Sequence, residues 1–179
     1  MRVGGWNIRG FGQSGHRTQI KDCMRKENMD IVFLQETIKQ SFTDQELRNL
    51  ESGDIFFWHW LPAVGNSGGL LGMRDSTLEV GRIDQGEFFI SATILHCASK
   101  VMFEFVGVYV PTDHSRSASF LEELERKIRA CRVPVIISGD FNLIRGPRDK
   151  NNANINWPRV HLFNEWIAAP PPKSNRFFF

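Results

Sequence analysis

Hydrophobic residues fall along this chain either in short unbroken runs or at wider, helical spacing. The unbroken runs at 31–34 and 133–137 have the length and β-branched content of strands that are covered on both faces. Residues 100–110 alternate between two sets of side chains, which predicts a strand with period two. Residues 15–28 place apolar side chains at i, i+3 and i+4, which predicts an amphipathic helix.

The middle of the chain predicts several more strands, because short apolar segments alternate with Gly, Asp, Asn and Ser turn signals. A Ser- and Asp-rich start followed by an apolar face predicts a helix at 113–130, and 159–168 has the pattern of a shorter helix. Strands with helices between them predict an α/β chain of two packed sheets with helices outside. The additional strands are predicted at 2–8, 55–60, 68–73, 77–83 and 87–97.

Composition narrows the class of protein. A chain of 179 residues with 41% hydrophobic and 23% charged residues can bury the core of one ordinary domain. Its net charge of +2 is too mild to indicate nucleic acid by itself. The three cysteines are scattered, which favours reduced thiols in an intracellular protein over a disulfide framework or a zinc site. We find no secretory signal and no apolar run that could span a membrane, so no membrane partner is expected.

Polar residues follow several of the predicted strands at the point where each strand ends. Asn7 ends the first, Glu36 follows the second, Tyr109 is near the end of a third, and Asp140 and Asn142 follow a fourth. In α/β sheets ligands gather outside strand ends, so these groups can converge on one site. Carboxylate and amide oxygens suit Mg²⁺ or Mn²⁺, the usual partners of phosphate esters. On extended backbone, the spacing of Asp140 and Asn142 would place both side chains on one side and Phe141 in the core.

Each of these residues has a plainer explanation when it is taken alone. Glu36 could be a solvated acid, and Asn7 could be a turn residue. Asp140 and Asn142 could form an Asx-turn, in which the side chain bonds its own backbone. Tyr109 could be a half-buried core residue with a wet hydroxyl. The coincidence of compatible chemistry at four strand ends is what favours a functional site.

Five motifs occur along the chain in the order WNIRG (6–10), LQET (34–37), SGGL (67–70), VYVP (108–111) and SGDFN (138–142). Taken in this order, they resemble the endonuclease/exonuclease/phosphatase superfamily over residues 2–167. The resemblance is strongest to the endonuclease domains at the start of plant LINE-type retrotransposon polyproteins. A basic, Asn-containing loop and a final FNEWI segment (163–167) are similar to those domains as well.

The resemblance implies a four-layer α/β/β/α sandwich that cleaves phosphodiesters with Mg²⁺ or Mn²⁺, with DNA as the partner, which a nuclear location of an intracellular protein would suit. It implies that Glu36 and Asn7 lie at the metal, and that Tyr109 orients or stabilises the scissile phosphate. Asp140 would align or deprotonate the attacking water, and Asn142 would bond the phosphate. The residues implied as further substrate contacts are Arg9, Arg145 and Thr112.

Relatives in that superfamily continue past the FNEWI segment with more strands and a closing Ser-Asp-His motif. Here residues 168–179 instead form a Pro- and Phe-rich tail. We therefore expect a partial domain at 2–167, an aberrant tail, low stability through exposed sheet edges, and weak or absent nuclease activity. Two alternatives stay open: a phosphatase of the same superfamily acting on inositol phosphates or lipids, and a non-catalytic interaction domain.

Overall fold

The computed structural model of the chain describes residues 1–51, 53–65, 67–110, 114–150, 154–169 and 177–178. Its first sheet contains four strands in the order β1-β2-β4-β3. β1 and β2 are parallel, whereas β4 is antiparallel to both of its neighbours. The strands are β1 (Val3–Asn7), β2 (Ile31–Gln35), β3 (Phe56–Leu61) and β4 (Gly69–Arg74).

The second sheet has the order β5-β6-β7-β8-β9. β6 is antiparallel to both of its neighbours, β5 and β7, and β7, β8 and β9 run parallel. Each sheet therefore contains a parallel pair that is connected through a helix, β1 with β2 and β7 with β8, whose strand ends point the same way. We call these two the parallel strand pairs. The strands are β5 (Leu78–Gln85), β6 (Phe89–His96), β7 (Val101–Tyr109), β8 (Val135–Asp140) and β9 (Phe177–Phe178).

Four α-helices connect these strands in the described residues. The short second helix was not predicted, although Thr43 and Glu46 form a capping box at its start that the sequence carries. The fourth helix is capped by Asn156, whose side chain accepts a hydrogen bond from the backbone of Arg159. The helices are α1 (Ser14–Lys26), α2 (Asp44–Arg48), α3 (Ser117–Ala130) and α4 (Trp157–Ala168). None of them is long and apolar enough to cross a membrane.

Three hydrophobic clusters show how the layers stack. The central cluster joins the inner faces of the two sheets, with Phe33 of β2 and Phe105 of β7 in edge-to-face contact. A second cluster packs α1 and α2 on the outer face of the first sheet, and a third packs α3 and α4 on the outer face of the second. The order helix, sheet, sheet, helix confirms the predicted α/β/β/α sandwich.

The two sheets approach each other closely near the end of their parallel strands. A Cβ on Gly107 of β7 would lie only 2.8 Å from the ring of Phe33, so only glycine leaves room for that ring. Gln35, which is 3% exposed, donates a 2.5 Å hydrogen bond from β2 to the carbonyl of Val108 on β7. Buried polar groups need such partners, and this one ties the sheets together below the predicted site.

Several helices and strands begin or end a few residues away from their predicted positions, and one short strand lies in the tail, where none was predicted. The predicted helix at 113–130 is a 3₁₀ turn, His114–Arg116, followed by α3. In the tail, residues 170–176 and 179 lie outside the described residues. The backbone of Phe177–Phe178 pairs with Val135 and Ile136, so these two residues extend the second sheet as β9. The domain boundary at 167 stays a prediction.

Candidate active site

The ends of the two parallel strand pairs meet around one cavity of about 530 Å³. Asn7 pairs with Gln35 in the first sheet, and Tyr109 pairs with Asp140 in the second, so matched strand ends supply the polar groups. This is the convergence that the sequence predicted for strand-terminal residues. The lining residues are Asn7, Gln35, Glu36, Val64, Ser67, Glu87, Tyr109, Val110, Arg116, Asp140 and Asn142.

Asn7 and Glu36 contact each other directly. The Asn7 amide donates a 2.7 Å hydrogen bond to Glu36 Oε1, and its oxygen accepts one from the backbone of Arg9. Glu36 has φ +53° and Arg9 has φ +48°, a left-handed conformation that is uncommon for residues with side chains. Backbone hydrogen bonds from Ile8 to Gln35 and from Gly10 to Glu36 hold both turns in place. The Glu36 carboxylate is therefore oriented before any ligand arrives.

Asp140 and Asn142 do not share one side of extended backbone, so that part of the prediction is wrong. β8 ends at Asp140, and Asn142 has φ +48°. The backbone N–H of Asn142 donates a 2.9 Å hydrogen bond to Asp140 Oδ1, which is the Asx-turn weighed as the plainer alternative. Phe141 does point inward, packing between the rings of Phe120 and Phe163. The turn still keeps both polar side chains on the cavity wall.

Asn142 is held by residues from two other segments, one of which is supported in turn by a third. Its side-chain amide donates to the carbonyl of Val110 at 2.7 Å. Its own carbonyl accepts from Arg159 of α4 at 2.9 Å, and the same guanidinium donates to the hydroxyl of Ser117 on α3 at 3.1 Å. Burial lowers the pKa of Arg159 from its usual value. Sequence reasoning gave Arg159 no part in this support.

Tyr109 is the only tyrosine of the chain, and its hydroxyl donates a 2.5 Å hydrogen bond to the carbonyl of Glu87. Burial raises the pKa of the Tyr109 phenol, the charges of Glu123 and Glu87 raise it further, and Arg116 opposes them. The neutral phenol is therefore the stable form, and it remains a hydrogen-bond donor in the cavity.

The turn at 86–88, between β5 and β6, forms the wall beside Tyr109. The Glu123 carboxylate on α3 accepts hydrogen bonds from the backbone amides of Glu87 and Phe88, at 2.8 and 3.1 Å. The side chain of Glu87 pairs with Arg116, whose guanidinium lies 4.8 Å from the centre of the Phe88 ring. Sequence reasoning did not find these residues, because each contact joins positions far apart in the chain.

The strand that leads to Asp140 contains a glycine, Gly139, because its backbone conformation and its surroundings exclude a side chain. Its φ is +144°, and a Cβ there would lie 2.1 Å from the carbonyl oxygen of Val108 and 2.9 Å from Gln35 Nε2. These are the two atoms of the hydrogen bond that joins the sheets. Any side chain at this position would have to displace that contact or the strand pairing.

The three predicted substrate contacts have different outcomes. Arg9 is exposed and lines a second cavity of about 590 Å³, which shares Asn7 and Asp140 with the first. Arg145 does not line either cavity: its side chain donates to Asn164, and its backbone donates to Asp149. Thr112 lies outside the described residues.

The donor set around the first cavity fits a hydrated divalent cation. Within the described part of the chain, no group of three His, Cys, Asp or Glu side chains forms a closed metal site. The cavity instead offers the carboxylates of Glu36 and Asp140 together with amide oxygens. Mg²⁺ is commonly bound through one or two carboxylates and keeps several waters, which this open arrangement allows.

The chain matches the model of the Endonuclease/Exonuclease/phosphatase family over residues 4–177. Since this match spans nearly the whole chain, the protein belongs to that family, whose members hydrolyse phosphodiesters and phosphate esters and generally use divalent metals. A search of curated proteins found no significant match.

Solved structures support the same fold at low sequence identity. An AP endonuclease from Leishmania major aligns with a TM-score of 0.65 and 18% identity, over 91% of this chain and 64% of its own. A humanized TDP2 from D. rerio aligns with a TM-score of 0.58 and 18% identity, over 78% and 65%. A mannosyl-6-phosphatase from Bacteroides thetaiotaomicron aligns with a TM-score of 0.58 and 14% identity, over 79% and 65%.

The chain thus spans less than two thirds of the TDP2 structure, and it spans 62% of the human Nocturnin catalytic domain, to which it is also similar. At such identities these structures establish the fold alone.

Proposed function

We propose that this chain is the endonuclease domain of a LINE-type retroelement and that it acts on the phosphodiester backbone of DNA. The observation that carries this proposal is the joining of Asn7, Glu36, Tyr109, Asp140 and Asn142 around one cavity. The ordered motifs that resemble LINE endonuclease domains support DNA as the substrate, as do structural neighbours named as an AP endonuclease and a TDP2.

In this proposal Glu36 is the main protein ligand of a Mg²⁺ or Mn²⁺ ion, and Asn7 orients its carboxylate through their hydrogen bond. Such an ion would offset the charge that develops on the phosphoryl oxygens. Orienting partners of this kind are needed because a carboxylate that turns freely loses much of its affinity for a metal.

The second sheet supplies the groups that face the ester. Tyr109 stays protonated and donates a hydrogen bond to a non-bridging oxygen, in exchange for its bond to the Glu87 carbonyl. Asp140 has one carboxylate oxygen occupied by the Asx-turn and the other available to hold the attacking water and accept its proton. The amide of Asn142 lies beside them and can bond the phosphate.

Among the side chains that the structure describes, none on the walls of the first cavity is a histidine. A general acid–base group typically contributes about 10²- to 10⁴-fold to a rate, so hydrolysis that relies on the described walls of this cavity should be slower by about that factor. We therefore expect weak, metal-dependent nicking rather than rapid turnover.

The test is nicking of supercoiled plasmid with protein in excess, with and without Mg²⁺. Glu36→Gln should reduce slow nicking by about a hundredfold, because it removes the main charged ligand of the metal. Glu79→Gln removes an equally negative but exposed side chain on β5 and should leave the rate unchanged. Nicking that persists without metal, or at equal rates in both variants, would overturn the proposal.

A parallel assay measures inorganic phosphate released from inositol phosphates and sugar phosphates. We expect none, since the proposed substrate is a diester. Metal-dependent phosphate release without nicking would instead assign the chain to the phosphatase alternative, which the neighbouring mannosyl-6-phosphatase fold accommodates.

A further inference from the structure

Arg116 is the one cationic side chain that lines the first cavity in the described part of the chain, and the catalytic roles proposed above do not include it. The other charged groups on the cavity wall are the carboxylates of Glu36, Glu87 and Asp140. Three carboxylates repel a negatively charged ester unless cations compensate, and the single divalent ion proposed at Glu36 does not neutralise all three. Arg116 is positioned to provide that compensation.

The Arg116 side chain is packed against the protein on one side and is open towards the cavity on the other. It immediately precedes α3, and its guanidinium lies over the ring of Phe88, which is only 2% exposed and therefore firmly seated. The Arg116 side chain is 38% exposed, so its hydrogen-bonding edge is open towards the cavity. An arginine that is stacked on an aromatic ring loses little further freedom when it binds an anion.

The present partner of Arg116 is the carboxylate of Glu87, which is 62% exposed. The backbone at Glu87 is anchored, because the amides of Glu87 and Phe88 donate to the Glu123 carboxylate and the Phe88 carbonyl accepts from the backbone amide of Tyr109. Those bonds fix the turn without the side chain, so the carboxylate can swing away while the wall stays in place. An exposed ion pair of this kind contributes little stability, which makes the exchange of one anion for another inexpensive.

We propose that Arg116 binds the non-bridging oxygens of the substrate phosphate, and that Glu87 occupies the same guanidinium edge until the ester displaces it. Carboxylate and phosphate present similar paired oxygens to the arginine fork, so one can replace the other. This inference rests on the proposed function for its substrate class. Glu87 then acts as an internal competitor, and substrate binding and the release of Glu87 are one event.

The structural alternative is that the pair only ties the turn at 86–88 to α3. The two explanations predict opposite effects of Glu87→Gln on binding. If Glu87 competes with the ester, Glu87→Gln tightens binding while Arg116→Gln weakens it. If the pair is only a tie, both substitutions break the same contact and both weaken binding.

The experiment measures binding of a fluorescent DNA duplex by anisotropy, in Ca²⁺ and over a range of salt concentrations. Arg116→Gln should weaken binding about tenfold, the usual scale for one charge-assisted hydrogen-bonding group. It should also reduce the salt slope by about one, because one phosphate contact is lost. Arg126→Gln, which removes an exposed cation from the same helix, is the matched control and should change affinity less.

Glu87→Gln should tighten binding about threefold, since an exposed ion pair competes only weakly. Glu122→Gln removes an exposed negative charge from α3 and controls for general repulsion of DNA. Should Arg116→Gln fail to fold, Arg116→Lys keeps the charge without the paired donors and should still weaken binding measurably.

The proposal is overturned if Arg116→Gln matches Arg126→Gln, if Arg116→Lys binds as the unaltered chain does, if Glu87→Gln fails to tighten binding more than Glu122→Gln, or if the unaltered chain does not bind the duplex. Arg116-dependent binding without any hydrolysis would defeat the proposed function and leave Arg116 as a phosphate-binding residue. Metal-dependent hydrolysis with unchanged binding in Arg116→Gln would support the proposed function and defeat the proposed role of Arg116.

Discussion

The two parallel strand pairs have the same connectivity, strand, helix, strand, yet they hold their polar residues in different ways. After β1 and β2, Asn7 bonds Glu36 directly, and backbone hydrogen bonds between the two turns hold this pair. After β7 and β8, the side chain of Asn142 bonds the Val110 carbonyl within the pair, but Tyr109 is held by the turn at 86–88 and the backbone of Asn142 by Arg159 of α4.

The difference separates two tasks within one site. The first pair is self-contained and presents an oriented carboxylate, as a metal ligand requires. The second pair depends on outside support, and its polar groups exchange internal partners for the ester. Substitutions in the first pair should change metal dependence, whereas those in the second should change the rate or the stability of the chain.

The largest effect is expected at Gly139, where the second pair joins the first. Gly139→Ala should cost about 3 kcal/mol or more in free energy of unfolding, because its φ of +144° and the 2.1 Å approach to Val108 O both exclude a Cβ. Urea unfolding measures this cost. Gly146→Ala is the matched control, since a Cβ there meets no atom within 4 Å.

A small loss in Gly139→Ala, close to that in Gly146→Ala, would show that the Gln35 bond between the sheets is dispensable. The site would then not need the close approach of the two pairs that the structure shows.

Effects of intermediate size are expected at Asn7 and Asn142, and they separate the Mg²⁺ dependence of nicking from its maximal rate. Asn7→Leu removes the donor that orients Glu36 and should raise the Mg²⁺ concentration for half-maximal nicking about tenfold. Asn142→Leu removes the donor to Val110 and should lower the maximal rate with little change in that Mg²⁺ concentration. Metal titrations of the nicking rate distinguish the two, and equal shifts in both variants would contradict the division of tasks.

The sequence predicted the first pair better than the second, for a physical reason. Unbroken β-branched runs locate β2 and β8, and parallel strands bring their ends together, so Glu36 and Asp140 could be placed at one edge. The conformation of Asn142 could not be chosen, since an extended strand and an Asx-turn suit the same residues. Arg116 and Glu87 pair across 29 positions, and neither carries a local signal.

The smallest effect concerns the protonation of Tyr109 and uses its status as the only tyrosine. Because burial, Glu123 and Glu87 raise the pKa of its phenol, the near-ultraviolet phenolate band of the folded chain should appear at higher pH than in the denatured chain, where tyrosine titrates near about 10. Between these two pKa values the unfolded state binds fewer protons, so stability falls as pH rises, and Tyr109→Phe removes that contribution.

Glu123→Gln should lower the folded midpoint and Arg116→Gln should raise it, since the two charges act in opposite directions. A folded midpoint equal to the denatured one would mean that Tyr109 is solvated, and the second strand pair would then lack the protonated donor that distinguishes it from the first.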